Sequence, residues 1–217
     1  MLKSHRSQHY YFAFAAGSLI AVALLDLLPE SLTIGITFGI TFHFLLSVML
    51  VSFFIYSFID KFFLTHHLHD DDEHEHPMGF IGASSLIIHS CFDGVAIGIA
   101  FQANQHIGFI VAMAVIMHDM TDGLNTVVIM LKNKASKSKA SLFLVLDALA
   151  PFLGIFITSF FIIPEKALAF LLMFFCGEFL YLGAGSLLPE IKKDNSLGIT
   201  FSLLLGATVI MILTSFL

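Results

Sequence analysis

Seven long apolar segments constrain this chain more than any other feature of its sequence. A transmembrane helix needs about 20 mainly apolar residues, and the segments have that length. Of the 217 residues, 58% are hydrophobic and only 12% are charged, whereas soluble domains carry about 25% charged residues. The sequence therefore predicts an integral membrane protein. We place the segments at residues 10–29, 33–59, 79–101, 107–131, 141–163, 166–189 and 197–217.

α-Helices are the expected form of these segments, because a spanning chain must satisfy its backbone hydrogen bonds internally. A β-barrel would instead show alternating strands of about ten residues. We therefore predict an all-α integral membrane fold with seven transmembrane helices. One domain covers residues 1–217 and includes a His/Asp-rich loop at 60–78. The formal charge of −6, without a dense basic patch, argues against nucleic acid as a partner.

The positions of Lys and Arg predict which way the helices cross the bilayer. Cytoplasmic loops carry an excess of these residues. If the N-terminus and the loops after segments two, four and six share one side, that side holds every basic residue except Lys166. We therefore expect a cytoplasmic N-terminus and 60–78 loop and an external C-terminus. We also expect the protein to lie in the plasma membrane.

Two pairs of motifs repeat within the chain. Residues 17–30 read GSLIAVALLDLLPE, and residues 177–190 read GEFLYLGAGSLLPE. A His-x-x-x-Asp-Gly motif occurs at 89–94 and again at 118–123. The copies of each pair lie on segments that cross in opposite directions. Inverted repeats around a midplane site recur in secondary transporters, so we predict an inverted-repeat helical bundle.

Five acidic residues lie deep inside the apolar segments. Each costs roughly 2.5–3.5 kcal/mol at a helix centre on insertion scales. No Lys or Arg lies deep inside the segments to pair with them, so protons or a bound cation must supply the positive charge. These residues are Asp93, Asp119, Asp122, Asp147 and Glu178.

The spacing of histidines and acids sharpens this prediction. His89 and Asp93 are four residues apart, as are His118 and Asp122, and such pairs share one helix face. Asp119 lies on an adjacent part of the second face. Imidazole and carboxylate together suit Zn²⁺ or another borderline divalent ion, such as iron, manganese, cobalt or cadmium. The pattern predicts a metal site near the middle of the membrane.

Asp147 has a further feature, because Pro151 follows it by four residues. Proline has no N–H, so the main-chain carbonyl of Asp147 lacks its helical donor. A free carbonyl beside a carboxylate suits a cation. The alternative is a purely structural kink, which membrane helices tolerate.

A histidine-rich tract, HHLHDDDEHEH, occupies residues 66–76. Such tracts bind transition metals loosely and form no packed core. The alternative is a solvated acidic tether, but beside a buried His/Asp site we expect metal capture. The candidate ligands in the tract are His66, His67, His69, His74 and His76.

Together these motifs resemble the ZIP family of divalent metal transporters. HSCFDGVAIGIAF from His89 and HDMTDG from His118 are similar to the family's fourth-helix and fifth-helix motifs. DLLPES from Asp26 and EFLYLGAGSLLPEI from Glu178 resemble the second and seventh helices. The resemblance implies a bundle of eight helices, usually a homodimer, that moves Zn²⁺ or related ions into the cytoplasm. Because this chain starts at what resembles helix two, we expect the first family helix to be absent.

The resemblance also implies which side chains hold metal. It places a central site on the third and fourth segments of this chain, and Asp147 at a second metal site found in some members. Ser90 stands where the family usually has Asn, and Asp122 is shorter than the Glu or His usual at its position. These differences leave open whether the site binds one metal ion or two. The predicted ligands are His89, Ser90, Asp93, His118, Asp119, Asp122, Asp147 and Glu178.

Two other classes of protein stay open at this point. One is a seven-helix intramembrane hydrolase, in which the same His/Asp ligands hold zinc and activate a water. The other is a metal sensor that does not transport. The inverted repeats and the histidine-rich tract favour an alternating-access transporter. That interpretation predicts no enzyme activity, no catalytic cofactor, divalent ions as substrate, and the lipid bilayer and a second copy of the chain as partners.

Overall fold

The computed structural model describes residues 2–66, 77–192 and 196–216, which form helices and no strand. Seven helices in this described part are long and apolar enough to cross a membrane. The predicted all-α integral membrane fold is confirmed. The helices are α1 (Leu2–Val22, a π-helical stretch Ala23–Leu27, and Leu28–Thr37), α2 (Phe42–His66), α3 (Pro77–Ala103), α4 (Gln105–Lys132), α5 (Lys137–Thr158), α6 (Glu165–Leu180, π-helical Tyr181–Leu187, and Leu188–Ile191) and α7 (Leu197–Phe216).

The break between the first two helices was predicted wrongly at residues 30–32. Helix α1 continues through these residues to Thr37, and α2 begins only at Phe42. Ser31 fits inside the bundle as part of this helix, because its buried hydroxyl donates a 2.6 Å hydrogen bond to the carbonyl of Ala169 on α6. The chain turns instead at Gly39, whose φ of +68° is open to glycine at little cost.

Helix α5 lies about four residues earlier than the predicted segment 141–163. It starts at Lys137 because the Ser136 side chain accepts a hydrogen bond from the Lys139 N–H, as N-capping residues do. It ends at Thr158, where the Gln102 side chain donates to the carbonyl of that residue at 3.0 Å. Capping, and not hydropathy, therefore sets both ends of this helix.

The two π-helical stretches occupy matching places in the longer repeat. Each stretch ends directly before a Leu-Pro-Glu sequence, at Leu27 in α1 and at Leu187 in α6. Pro29 and Pro189 cannot donate to the carbonyl four residues earlier, and their rings crowd it. A local widening of the helix relieves this conflict. The two copies of the repeat thus share a backbone distortion as well as a sequence.

Four helices form the interior of the bundle, and three lie on its outside. In α1 and α6, 61% of the residues in an apolar 18-residue stretch of the helix are buried. The corresponding shares are 11% in α2, 28% in α5 and 17% in α7. The outer helices expose Phe, Leu and Ile side chains, which suits contact with lipid. Residues of the main apolar core include Leu19, Val22, Ala100, Ile110, Val111, Leu172 and Phe179.

Helix α5 nevertheless approaches α3 closely. A Cβ added to Gly94 would collide with the main-chain carbonyl of Pro151, and one added to Gly154 would collide with that of Cys91. Small residues permit such contact between membrane helices. This contact brings the inner face of α5 next to the first His/Asp motif.

Candidate metal centre

The two His-x-x-x-Asp motifs converge in the interior of the bundle. His89 and Asp93 lie on α3, and His118 and Asp122 lie on α4. One ligand atom from each of these four residues lies within 4.8 Å of the other three. Asp93 and His118 are buried, while His89 and Asp122 are partly buried. We call these four residues the His/Asp cluster.

A tight turn sets this convergence. A single residue, Asn104, separates α3 from α4, and its side chain accepts a 2.8 Å hydrogen bond from the His106 N–H. The two helices therefore pack side by side in opposite directions. Because residues four apart share a face, the turn brings one His/Asp pair opposite the other.

The distances within the cluster match the dimensions of a metal site. The Nε2 atom of His118 lies 3.2 Å from Oδ2 of Asp93 and 3.8 Å from Oδ2 of Asp122. The Nε2 atom of His89 lies 3.4 and 3.9 Å from the same two oxygens. A tetrahedral zinc ion with bonds of about 2.0–2.1 Å holds its donor atoms about 3.3–3.4 Å apart. These four His–Asp distances lie within about 0.6 Å of that spacing, so a modest closure of the cluster would enclose such an ion.

The hydrogen bond of His118 directs its lone pair into the cluster. Its Nδ1 lies 3.2 Å from the carbonyl oxygen of Ala114. A carbonyl only accepts, so Nδ1 carries the proton and donates it there. In the neutral ring, which is the form that binds a metal, Nε2 then has a lone pair that faces Asp93 and Asp122. A second hydrogen bond of this kind is usual for histidines that bind metals. Without metal, a protonated ring donates from Nε2 to Oδ2 of Asp93, 3.2 Å away.

Several polar atoms of the cluster are buried without a partner in the part of the chain that the structure describes. They are Nε2 of His89, Oδ1 of Asp93 and Oδ2 of Asp122. The Lys and Arg residues described by the structure lie outside the spans or in their first turn. Buried charges without compensation are costly. A divalent cation between the two carboxylates would compensate for both.

The remaining predicted ligands surround the cluster without belonging to it. Glu178 of α6 is fully buried, and its Oε1 lies 3.6 Å from Nδ1 of His89, on the side of the ring away from the cluster. Asp119 is partly buried on α4. Ser90 donates a 2.8 Å hydrogen bond to Oδ1 of Asp147 on α5. That these four residues bind metal stays a prediction.

Sequence reasoning missed one residue near the site, Thr126. Its hydroxyl donates to Oδ2 of Asp147 at 3.3 Å. The sequence did contain a signal for this residue, because Thr126 follows Asp122 by four residues and therefore shares its helix face. The predicted tract ligands His67, His69, His74 and His76 lie outside the described residues, as does the side chain of His66.

Comparison with known proteins decides the family. The family profile described as ZIP Zinc transporter matches residues 66–214. The chain belongs to the ZIP zinc transporter family. The resemblance noted from the motifs is thereby confirmed, and the matched region contains the His/Asp cluster, Asp147 and Glu178.

A relative with a curated name is similar to this chain over more than half of its length. Protein zntA of Dictyostelium discoideum is 36% identical to this chain over 144 residues, which cover 60% of the chain and 28% of zntA. The chain thus spans less than a third of this relative. Membership of the ZIP family favours a transporter over the intramembrane hydrolase that the sequence left open.

Proposed function

We propose that this chain carries divalent transition-metal ions, Zn²⁺ foremost, across a membrane by alternating access. The ion binds at the His/Asp cluster, near the middle of α3 and α4. One observation supports this most directly: two imidazole nitrogens and two carboxylate oxygens from neighbouring helices lie within 4.8 Å of one another inside the bundle. Membership of the ZIP family supports the same reading.

The chemistry of the donors suits an ion that must be released again. Structural zinc sites are commonly closed shells rich in thiolate, whereas this cluster contains no cysteine. Imidazole and carboxylate also accept Fe²⁺, Mn²⁺ and Cd²⁺, so discrimination among these ions rests on geometry as well as on affinity. A carboxylate pair replaces part of the hydration shell and neutralises the charge of a divalent ion.

The proposed direction of transport, into the cytoplasm, rests on the resemblance to the ZIP family. The basic residues favour a cytoplasmic N-terminus and a cytoplasmic histidine-rich tract. In that orientation the tract would receive or sense the ions that leave the cluster. Location in the plasma membrane and assembly as a homodimer stay predictions from the resemblance to the family.

Uptake of radioactive zinc into proteoliposomes tests the proposal. We expect saturable uptake by the wild type and a loss of at least about tenfold in His89→Ala and Asp122→Asn, because even residues that only orient metal ligands change affinity or activity about 10–100-fold. His43→Ala is the matched control, because His43 is an exposed histidine on the outer helix α2. Its uptake should equal that of the wild type. Saturable uptake that survives both cluster substitutions would refute the proposed site.

Binding without transport would favour the sensor. Zinc binding to the purified chain is therefore measured beside uptake. If the wild type binds zinc through the cluster yet moves none in this assay, the transport proposal fails for this chain while the metal site stands.

A further inference from the structure

Asp147 is a buried acid on a helix that is mostly exposed. Its side chain is 3% exposed, while most of α5 faces outward. Each of its two carboxylate oxygens accepts a hydroxyl hydrogen bond. Ser90 of α3 donates to Oδ1 at 2.8 Å, and Thr126 of α4 donates to Oδ2 at 3.3 Å. One carboxylate therefore joins α3, α4 and α5. We call this arrangement the Asp147 clamp.

The two hydroxyl donors are adjacent to the two halves of the His/Asp cluster. Ser90 directly follows His89 on α3. Thr126 follows Asp122 by four residues on α4 and lies on the same face of the helix. The Asp147 clamp thus holds α3 and α4 at points within about one helical turn of their metal-binding side chains. The two hydrogen bonds tie both halves to one carboxylate on α5.

The backbone contact between α5 and α3 keeps the acceptor in place. Gly94 lies against the main-chain carbonyl of Pro151, one helical turn after Asp147. The acid is therefore held where both hydroxyls reach it. The four donors of the cluster form a compact group without Asp147, whose two oxygens already have partners.

We propose that Asp147 is a positioning residue and not a metal ligand, and that the cluster binds a single metal ion whose affinity the Asp147 clamp sets. This inference rests on the proposed function for the identity of the ion. The competing assignment makes Asp147 a ligand of a second ion, as the resemblance to the family implied for some members.

The first experiment compares zinc binding by the wild type and by Asp147→Asn in the full chain. The histidine-rich tract is unchanged in both, so its contribution cancels. We expect the same number of ions per chain at saturation, with affinity about 10–100-fold weaker in the variant, as for other residues that orient metal ligands. Loss of one ion per chain in Asp147→Asn would overturn the proposal.

Thr126 gives the sharper test, because its hydroxyl contacts Asp147 and it is not a candidate ligand. Thr126→Val removes the hydroxyl at nearly constant volume, and Thr126→Ser retains it as the matched control. We expect zinc affinity to fall about tenfold in Thr126→Val and to stay close to the wild-type value in Thr126→Ser. The double variant with Asp147→Asn should be no weaker than Asp147→Asn alone, because the two residues act as one unit.

A purely structural role would give a different pattern. Thr126→Val would then lower the thermal midpoint of unfolding without changing zinc affinity, and that result would overturn the proposal. The proposed function fails separately, if zinc binding to the wild type does not depend on His89. If His89→Ala removes one bound ion per chain while Thr126→Val and Asp147→Asn bind as the wild type does, only the present inference fails.

Discussion

Replacement of Asp93 by Asn gives the most stringent test of the metal centre. Oδ2 of Asp93 lies 3.2 Å from Nε2 of His118 and 3.4 Å from Nε2 of His89, so this carboxylate faces both imidazoles. Asparagine has the same shape and keeps one neutral oxygen. The change therefore removes a charge from the centre of the site with little change in packing.

The metal-free protein should tolerate this change. A hydrogen bond that involves a charged group contributes about 1.5–3 kcal/mol, and without metal Asp93→Asn weakens the one between His118 and Asp93. Burial of a carboxylate inside the membrane costs roughly 2.5–3.5 kcal/mol, and the substitution removes this cost. The two effects nearly cancel, so we expect the free energy of unfolding without metal to change by about 1 kcal/mol or less.

Zinc binding should respond very differently. Residues that only orient ligands change affinity about 10–100-fold, and loss of a charged ligand should exceed the upper end of that range. At a zinc concentration of about 100 times the wild-type dissociation constant, binding stabilises the wild type by about 2.7 kcal/mol. At the same concentration, a variant whose affinity is at least 100-fold weaker gains about 0.4 kcal/mol or less.

Thermal unfolding with and without zinc measures both effects. For a chain of this size, 1 kcal/mol shifts the midpoint by about 2–4 °C. We expect zinc to raise the wild-type midpoint by roughly 5–11 °C and that of Asp93→Asn by about 2 °C or less. A zinc-induced shift in Asp93→Asn equal to that of the wild type would refute the assignment of Asp93 as a ligand.

Three further outcomes are expected. Zinc uptake should fall as the pH is lowered from 7.5 towards 5, because bound imidazole and carboxylate must be deprotonated; a rate independent of pH at constant free zinc would contradict this. Gly94→Val should lower the free energy of unfolding by about 1–3 kcal/mol, since its side chain meets the carbonyl of Pro151. Gly123→Ala is the control, because its Cβ meets only the end of a leucine side chain. If denaturant titration finds equal losses of unfolding free energy in the two variants, the close contact between α3 and α5 is not supported. Ser31→Ala should lower the free energy of unfolding by about 0.6 kcal/mol, because the hydrogen bond from Ser31 to the carbonyl of Ala169 is lost. An unchanged thermal midpoint of unfolding would show that this hydrogen bond contributes nothing measurable.

Much of the candidate site could be predicted from local regularities. Spacing of four residues puts His89 with Asp93, and His118 with Asp122, on common faces wherever the helices lie. Counted from the turn at Asn104, the midpoints of the two pairs are about 20 and 24 Å away along their helices at 1.5 Å per residue. Two helices joined by so short a turn therefore bring the pairs to nearly the same depth.

Helix ends were less predictable, because several of them depend on distant residues. Polar Glu30 and Ser31 suggested a loop, yet Ser31 finds its acceptor on α6, 138 residues away in sequence. The C-terminal end of α5 likewise depends on Gln102, which belongs to α3. Hydropathy describes each segment alone and contains no information about such partners.

The sequence by itself determined the class of protein, the number of spans and the two His/Asp pairs. Apolar length and helical period are local properties that no neighbour changes. Only the tertiary structure assigned separate places to acids that are chemically alike in the sequence. Asp93 and Asp122 face two imidazoles, Glu178 lies behind His89, and Asp147 accepts from Ser90 and Thr126. The physical reason is that the surroundings of a carboxylate depend on which helices pack against it, and that packing joins residues far apart in the chain.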